Sequence, residues 1–166
     1  MTDWHYDLAL QQELDSAEDR ITGWVLEDLA PFHEETPLGQ GPEQPQADLS
    51  PHQFTQVLTV AQENASVPAL INYLRYQIAR SKPGQGWQWE NIGADLVSLL
   101  KEPVRTTAES AANAAAERVR GSGAVATSDE QHRAWVHVSR RFLGVLRWRY
   151  IQRANDYQAG EENHHD

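Results

Sequence analysis

Residues 128–157, SDEQHRAWVHVSRRFLGVLRWRYIQRANDY, decide the fold. Trp135, Val138, Phe142, Val145, Leu146, Tyr150 and Tyr157 recur at three- and four-residue steps, the period of an α-helix rather than of a strand. Ser128-Asp129-Glu130-Gln131 reads as a capping box with acids in the first turn, where the helix dipole favours them. A helix over about residues 129–157 is therefore expected. Advancing about 100° per residue places Arg133, His137, Arg140, Gly144 and Arg147 nearly in line opposite the apolar set, with Arg141 and Trp148 at the shoulder.

The same period runs backwards through the chain. Trp4, Leu8, Leu14, Ala17, Ile21, Trp24, Val25 and Leu29 predict a helix over residues 3–30, halted by Pro31. Ser50-Pro51-His52-Gln53 resembles a capping box and opens a helix to about 64, with Phe54, Val57, Leu58 and Ala61 inward. Ser66 caps the next, whose stripe is Val67, Leu70, Ile71, Leu74 and Ile78; these two helices are expected to form a tight antiparallel pair. Trp87, Trp89, Ile92, Leu96, Leu99 and Leu100 mark a helix over about 88–102, ended by Pro103. Thr106 or Thr107 then starts an alanine-rich helix to Arg120.

No stretch alternates with the two-residue period of a strand, so the expected class is all-α, a compact bundle of five or six helices. Its expected parts are an acidic N-terminal helix (1–30), a flexible Pro/Gly-rich linker (31–49), the bundle (50–158) and a disordered tail (159–166). The linker carries only Phe32 and Leu38 as sizeable apolar side chains, too little to offset the entropy of ordering.

Composition excludes several chemistries. There is no cysteine, so neither disulfides nor thiolate metal sites exist, and a reducing compartment is expected. No apolar run approaches the roughly 20 residues that cross a bilayer, and Met1-Thr2-Asp3-Trp4-His5 lacks a signal-peptide layout. The chain is expected in the cytoplasm without a membrane partner. The seven histidines form no metal-binding spacing, His33-Glu34-Glu35 falls in the linker, and the serines sit in no nucleophile elbow. No catalytic residue, no metal site and no cofactor is assigned.

The net charge of −10 hides a split. Residues 1–65 hold 13 acids against Arg20 alone, whereas residues 66–160 hold 13 Lys and Arg against 8 acids. Either the halves neutralise each other within the fold, or they present charge to partners. The second reading points to a polyanion, because Arg133, Arg140, Arg141 and Arg147 could meet successive phosphates and Trp148 could stack on an unpaired base. Arg75, Arg80 and Lys82 form a second basic group beside the glycines 84 and 86. Arg149 and Arg153 read as structural.

The segments Asn72-Tyr73-Leu74-Arg75-Tyr76-Gln77-Ile78-Ala79-Arg80 and Arg140-Arg141-Phe142-Leu143-Gly144-Val145-Leu146-Arg147-Trp148-Arg149-Tyr150 resemble the small helical subunit of type III CRISPR effector complexes. That resemblance implies a non-catalytic subunit of an antiviral ribonucleoprotein, contacting RNA or single-stranded DNA and neighbouring copies, with Arg75, Arg80, Arg140, Arg141 and Arg147 as the positions carried over. The acidic first helix and the long linker depart from that family's pattern. The alternative is a protein-interaction adaptor that docks through its acidic N-terminal and basic C-terminal helices, with no nucleic acid.

Overall fold

The computed structural model describes residues 4–27, 51–80 and 89–162, with side chains at 4–23, 53–80, 93–149 and 151. Within them lie six helices: α1 Trp4–Glu27, α2 Pro51–Glu63, α3 Val67–Arg80, α4 Trp89–Lys101, α5 Pro103–Arg120 and α6 Ser128–Glu162. The class is all-α, as the periodicity required. The linker 31–49, Lys82, and the side chains of Trp24, Trp87, Ile92, Tyr150 and Tyr157 lie outside the described set.

Helix α6 is the centre: α5, α1 and α2 all pack along it, while α3 and α4 rest chiefly on each other and α4 also touches α5. The expected tight α2/α3 pair is therefore loosened, because α2 turns its apolar stripe chiefly to α6 and α3 turns its own to α4. Phe54, Val57 and Ala61 of α2 and Val67, Leu70, Ile71 and Leu74 of α3 are buried, while Leu58 and Ile78 are half-buried against the core. Ser66 caps α3 through its Oγ, which accepts the Ala69 N–H at 3.4 Å.

Three boundaries differ from expectation for local reasons. The capping box of α6 sits one residue earlier: the Glu130 N–H donates to Thr127 Oγ1 at 3.3 Å and the Thr127 N–H to Glu130 Oε2 at 2.7 Å. Pro103 opens α5 instead of merely ending α4, since the first helical position needs no N–H. Helix α6 also continues through Glu162, so residues 159–162 of the expected tail are helical; adding a residue to an existing helix carries no nucleation cost. Between α5 and α6, Gly121 and Gly123 take φ of 101° and 82°, where a side chain would be strained.

The face of α1 is the main correction. Trp4 and Leu8 are exposed, 64% and 53%, and the buried stripe is Tyr6, Leu10, Leu14, Ala17 and Ile21, with Ala9 beside it. That stripe keeps strict four- and three-residue steps, so it lies in one line and meets a smooth partner: Ala108, Ala111, Ala112, Ala115 and Ala116 of α5 are all buried. Small side chains on α5 let the larger ones of α1 fill the space between the axes.

Tyr6 is the polar member of this seam. Its hydroxyl donates to the Ala112 carbonyl at 3.3 Å, and the guanidiniums of Arg120 and Arg133 stand 5.5 and 5.9 Å from its ring. Burial, helped by the charge of Glu130 and opposed by the two arginines, pushes its pKa up to about 12. A phenol harder to ionise folded than unfolded adds stability that is fully present below pH 10 and is lost as pH rises through 10 towards 12. Tyr6→Phe should lower unfolding free energy by about 1 kcal/mol at neutral pH and flatten the alkaline loss, as read by urea titrations at several pH values.

Candidate functional site

Acidic residues flank the α1 stripe on both edges, and arginines of the α5/α6 hairpin stand opposite them. Arg133 bonds Asp7 at 3.1 Å, Arg141 bonds both Asp15, at 2.7 Å, and Glu18, and Arg118 of α5 bonds Glu13 and, at 2.6 Å, the side-chain carbonyl of Gln12. The partners advance together, Asp7 to Asp15 along α1 and Arg133 to Arg141 along α6, so the two helices run in the same direction.

On the other flank the arginines serve α2. Arg140 donates from Nε to the Ala61 carbonyl at 2.8 Å and from Nη2 to the Gln62 carbonyl at 3.0 Å. These carbonyls lie in the last turn of α2, where helical partners run out, so Arg140 completes and neutralises that terminus. Arg147 donates to Thr55 Oγ1 at 3.1 Å near the start of the same helix, and His132 meets the Ala65 carbonyl at 3.1 Å beyond its end. Helix α2 thus lies antiparallel to α6, held at both ends.

The line of basic residues expected to face a polyanion is consequently a seam. Arg133 and Arg141 are engaged by carboxylates of α1, and Arg140 and Arg147 by α2. The acidic N-terminal and basic C-terminal helices pack side by side and share these ion pairs. Left between α1 and α2 is a narrow strip of α6 with exposed His137, half-buried Gly144 and Trp148, which is 69% exposed.

The second basic group has a different setting. Arg75 and Arg80 are exposed on α3; among the described residues Arg75 makes no hydrogen bond or ion pair, and the Arg80 guanidinium lies 5.6 Å from the centre of the exposed Tyr76 ring. Arg118 and Arg120, which sequence reasoning passed over, do as much structural work as the α6 arginines: Arg120 bonds Glu130 at 2.6 Å and joins the end of α5 to the start of α6. Their signal was available, as basic residues in the last turn of a helix facing an acidic one.

Two titrating groups report on the seam. Burial works to raise the Glu130 carboxyl, but the Thr127 N–H and the Arg120 guanidinium outweigh it and hold the pKa below the usual range. His137 keeps an open edge, yet crowding by its neighbours, followed by the charges of Arg140, Arg141 and Arg133, lowers its pKa against the smaller pull of Asp7.

Among the described residues no group of three or more His, Asp or Glu side chains could hold a metal ion, and no helix is long and apolar enough to cross a membrane. An open depression lined by Arg20, Ile21, Glu102, Pro103, Thr106 and Thr107 lies where α1 passes the α4–α5 turn. Its hydroxyls are engaged locally, Thr107 donating to the Pro103 carbonyl at 2.8 Å and Thr106 to Glu102 at 3.5 Å. Comparison with protein-family models, with curated proteins and with solved structures finds no match.

Because His137 is harder to protonate folded than unfolded, the unfolded chain gains the proton first as pH falls below about 6.5. Stability should decline through that window until the native imidazole also protonates. His137→Gln should remove this part of the decline, measured as urea midpoints between pH 7.5 and 5. Arg141→Met, which strips Asp15 and Glu18 of their partner, should cost about 1 kcal/mol and make the remaining stability less sensitive to salt.

Proposed function

We propose that this chain is a non-catalytic helical interaction module of the cytoplasm, a subunit that docks proteins into a larger assembly without itself holding nucleic acid. The observation that carries this reading is the internal use of the α6 arginines. At Arg133 and Arg141 a guanidinium bonded to a carboxylate must exchange that partner for a phosphate, so the counterion release that drives polyanion binding is forfeited there, while Arg140 and Arg147 are held in place by neutral oxygens of α2. A chain of net charge −10 also repels a polyanion at long range.

Meanwhile, among the described residues, the large apolar side chains Trp4, Leu8, Tyr76, Val125 and Trp148 remain exposed. Aromatic side chains of this kind are the usual anchors of protein interfaces. The lack of any cysteine suits a reducing compartment.

A second reading has its own support. A subunit of a CRISPR-effector-like ribonucleoprotein, contacting phosphates without sequence specificity, would use Trp148 as a stacking platform and Arg75 and Arg80 as exposed cations with no carboxylate partner among the described residues.

The two readings separate on one preparation. The tagged chain is isolated from its host with and without nuclease, and labelled single-stranded RNA and DNA of about 20 nucleotides are titrated by anisotropy at about 50 and 200 mM salt. The module reading expects protein partners retained after nuclease and no oligonucleotide binding at either salt. Oligonucleotide binding that falls steeply with salt, with all partners released by nuclease, would overturn it in favour of the second.

A further inference from the structure

Helix α3 holds no Asp or Glu at all, in a chain that carries 24 of them. Beyond its first turn, where Pro68 and Ala69 are exposed, its outward residues Asn72, Arg75, Tyr76, Ala79 and Arg80 occupy one fan of about 140° at 100° per residue. Arg75 and Arg80 form the two edges of the fan; Asn72, Tyr76 and Ala79 form its middle. Such a face is cationic along both margins and flat or aromatic along the centre.

The molecule contains the complement of that layout. In α1 an apolar stripe runs between carboxylates on both edges, and its acids seat on Arg133, Arg141 and Arg118 of the hairpin. From this correspondence we infer that the outward face of α3 is the docking site for an acidic amphipathic helix of a partner protein, with acids on both margins of an apolar stripe. The inference rests on the interaction-module reading and names the partner of that module.

Charge decides between the possible occupants. Two copies of this chain, each at −10, oppose one another, and a nucleic acid brings one charge per roughly 3.4 Å of each strand against the same field. A single helix with a few marginal carboxylates, on a partner of neutral or basic overall charge, meets only the local field of Arg75 and Arg80. Tyr76, 58% exposed, supplies apolar area, and Ala79 lets the axes approach. The Arg80 guanidinium lies over the Tyr76 ring, which holds that edge of the face in shape before anything binds.

The test uses the full chain and a labelled, helix-forming peptide of about 20 residues, with a leucine stripe at helical spacing and glutamate on both edges. The same peptide with lysine in place of glutamate is the control, and single-stranded poly(U) is the competing class. The expected result is binding of the glutamate peptide only, weakened at least about tenfold by Arg75→Glu with Arg80→Glu, and weakened by Tyr76→Ala. These side chains are exposed, so circular-dichroism melts should leave all variants folded. Equal binding by wild type and double variant, no peptide binding up to about 1 mM, or tighter binding of poly(U) through the same residues would each overturn the inference. If host partners stay bound to the double variant, the docking site lies elsewhere while the module reading stands.

Discussion

The seating of α1 on the α5/α6 hairpin is the constraint on which the rest of the molecule depends. Two forces act there and their magnitudes differ. Burying an aliphatic or aromatic side chain is worth about 1.5–3 kcal/mol, and α1 buries Tyr6, Leu10, Leu14 and Ile21 along with two alanines. Exposed ion pairs are worth about 0–1 kcal/mol each, so Asp7, Glu13, Asp15 and Glu18 do not supply most of the energy. They decide the register: a shift of α1 along the hairpin would leave carboxylates facing carbonyls and guanidiniums facing nothing.

That same seating changes what α6 can do. An arginine has five donors in a fixed fork, and a helix lying beside it with carboxylates at the right spacing occupies the fork before any partner arrives. Arg140 and Arg147 are drawn the other way, to the two ends of α2. The central helix is thus a cross-brace whose polar residues hold the flanking helices as its apolar residues hold α5. What this packing leaves exposed is the outer face of α3, with Arg75, Tyr76 and Arg80, together with Trp4 and Trp148.

Much of the architecture could be read from single helices. The stripes of α2 and α3, the Ser66 cap and the alanine-rich α5 depend on contacts within a few residues, and they stand where periodicity put them. Trp4 and Leu8 misled because size suggested burial, whereas geometry prefers the straighter line through Tyr6 and Leu10. The Thr127 cap was hidden by Ser128, an equally good capping residue one position later; the side chain that wins is the one whose Glu also reaches Arg120.

What the amino-acid order determined by itself was the helical class, the absence of thiol chemistry, the approximate helix boundaries and the split of charge between the halves. These follow from local periodicity and composition, which need no knowledge of neighbours. Only the tertiary structure decided where the charge goes. Whether Arg133 and Arg141 face water or Asp7, Asp15 and Glu18 depends on residues more than 120 positions away, and helical spacing says which side of a rod a residue is on without saying what stands beside that side.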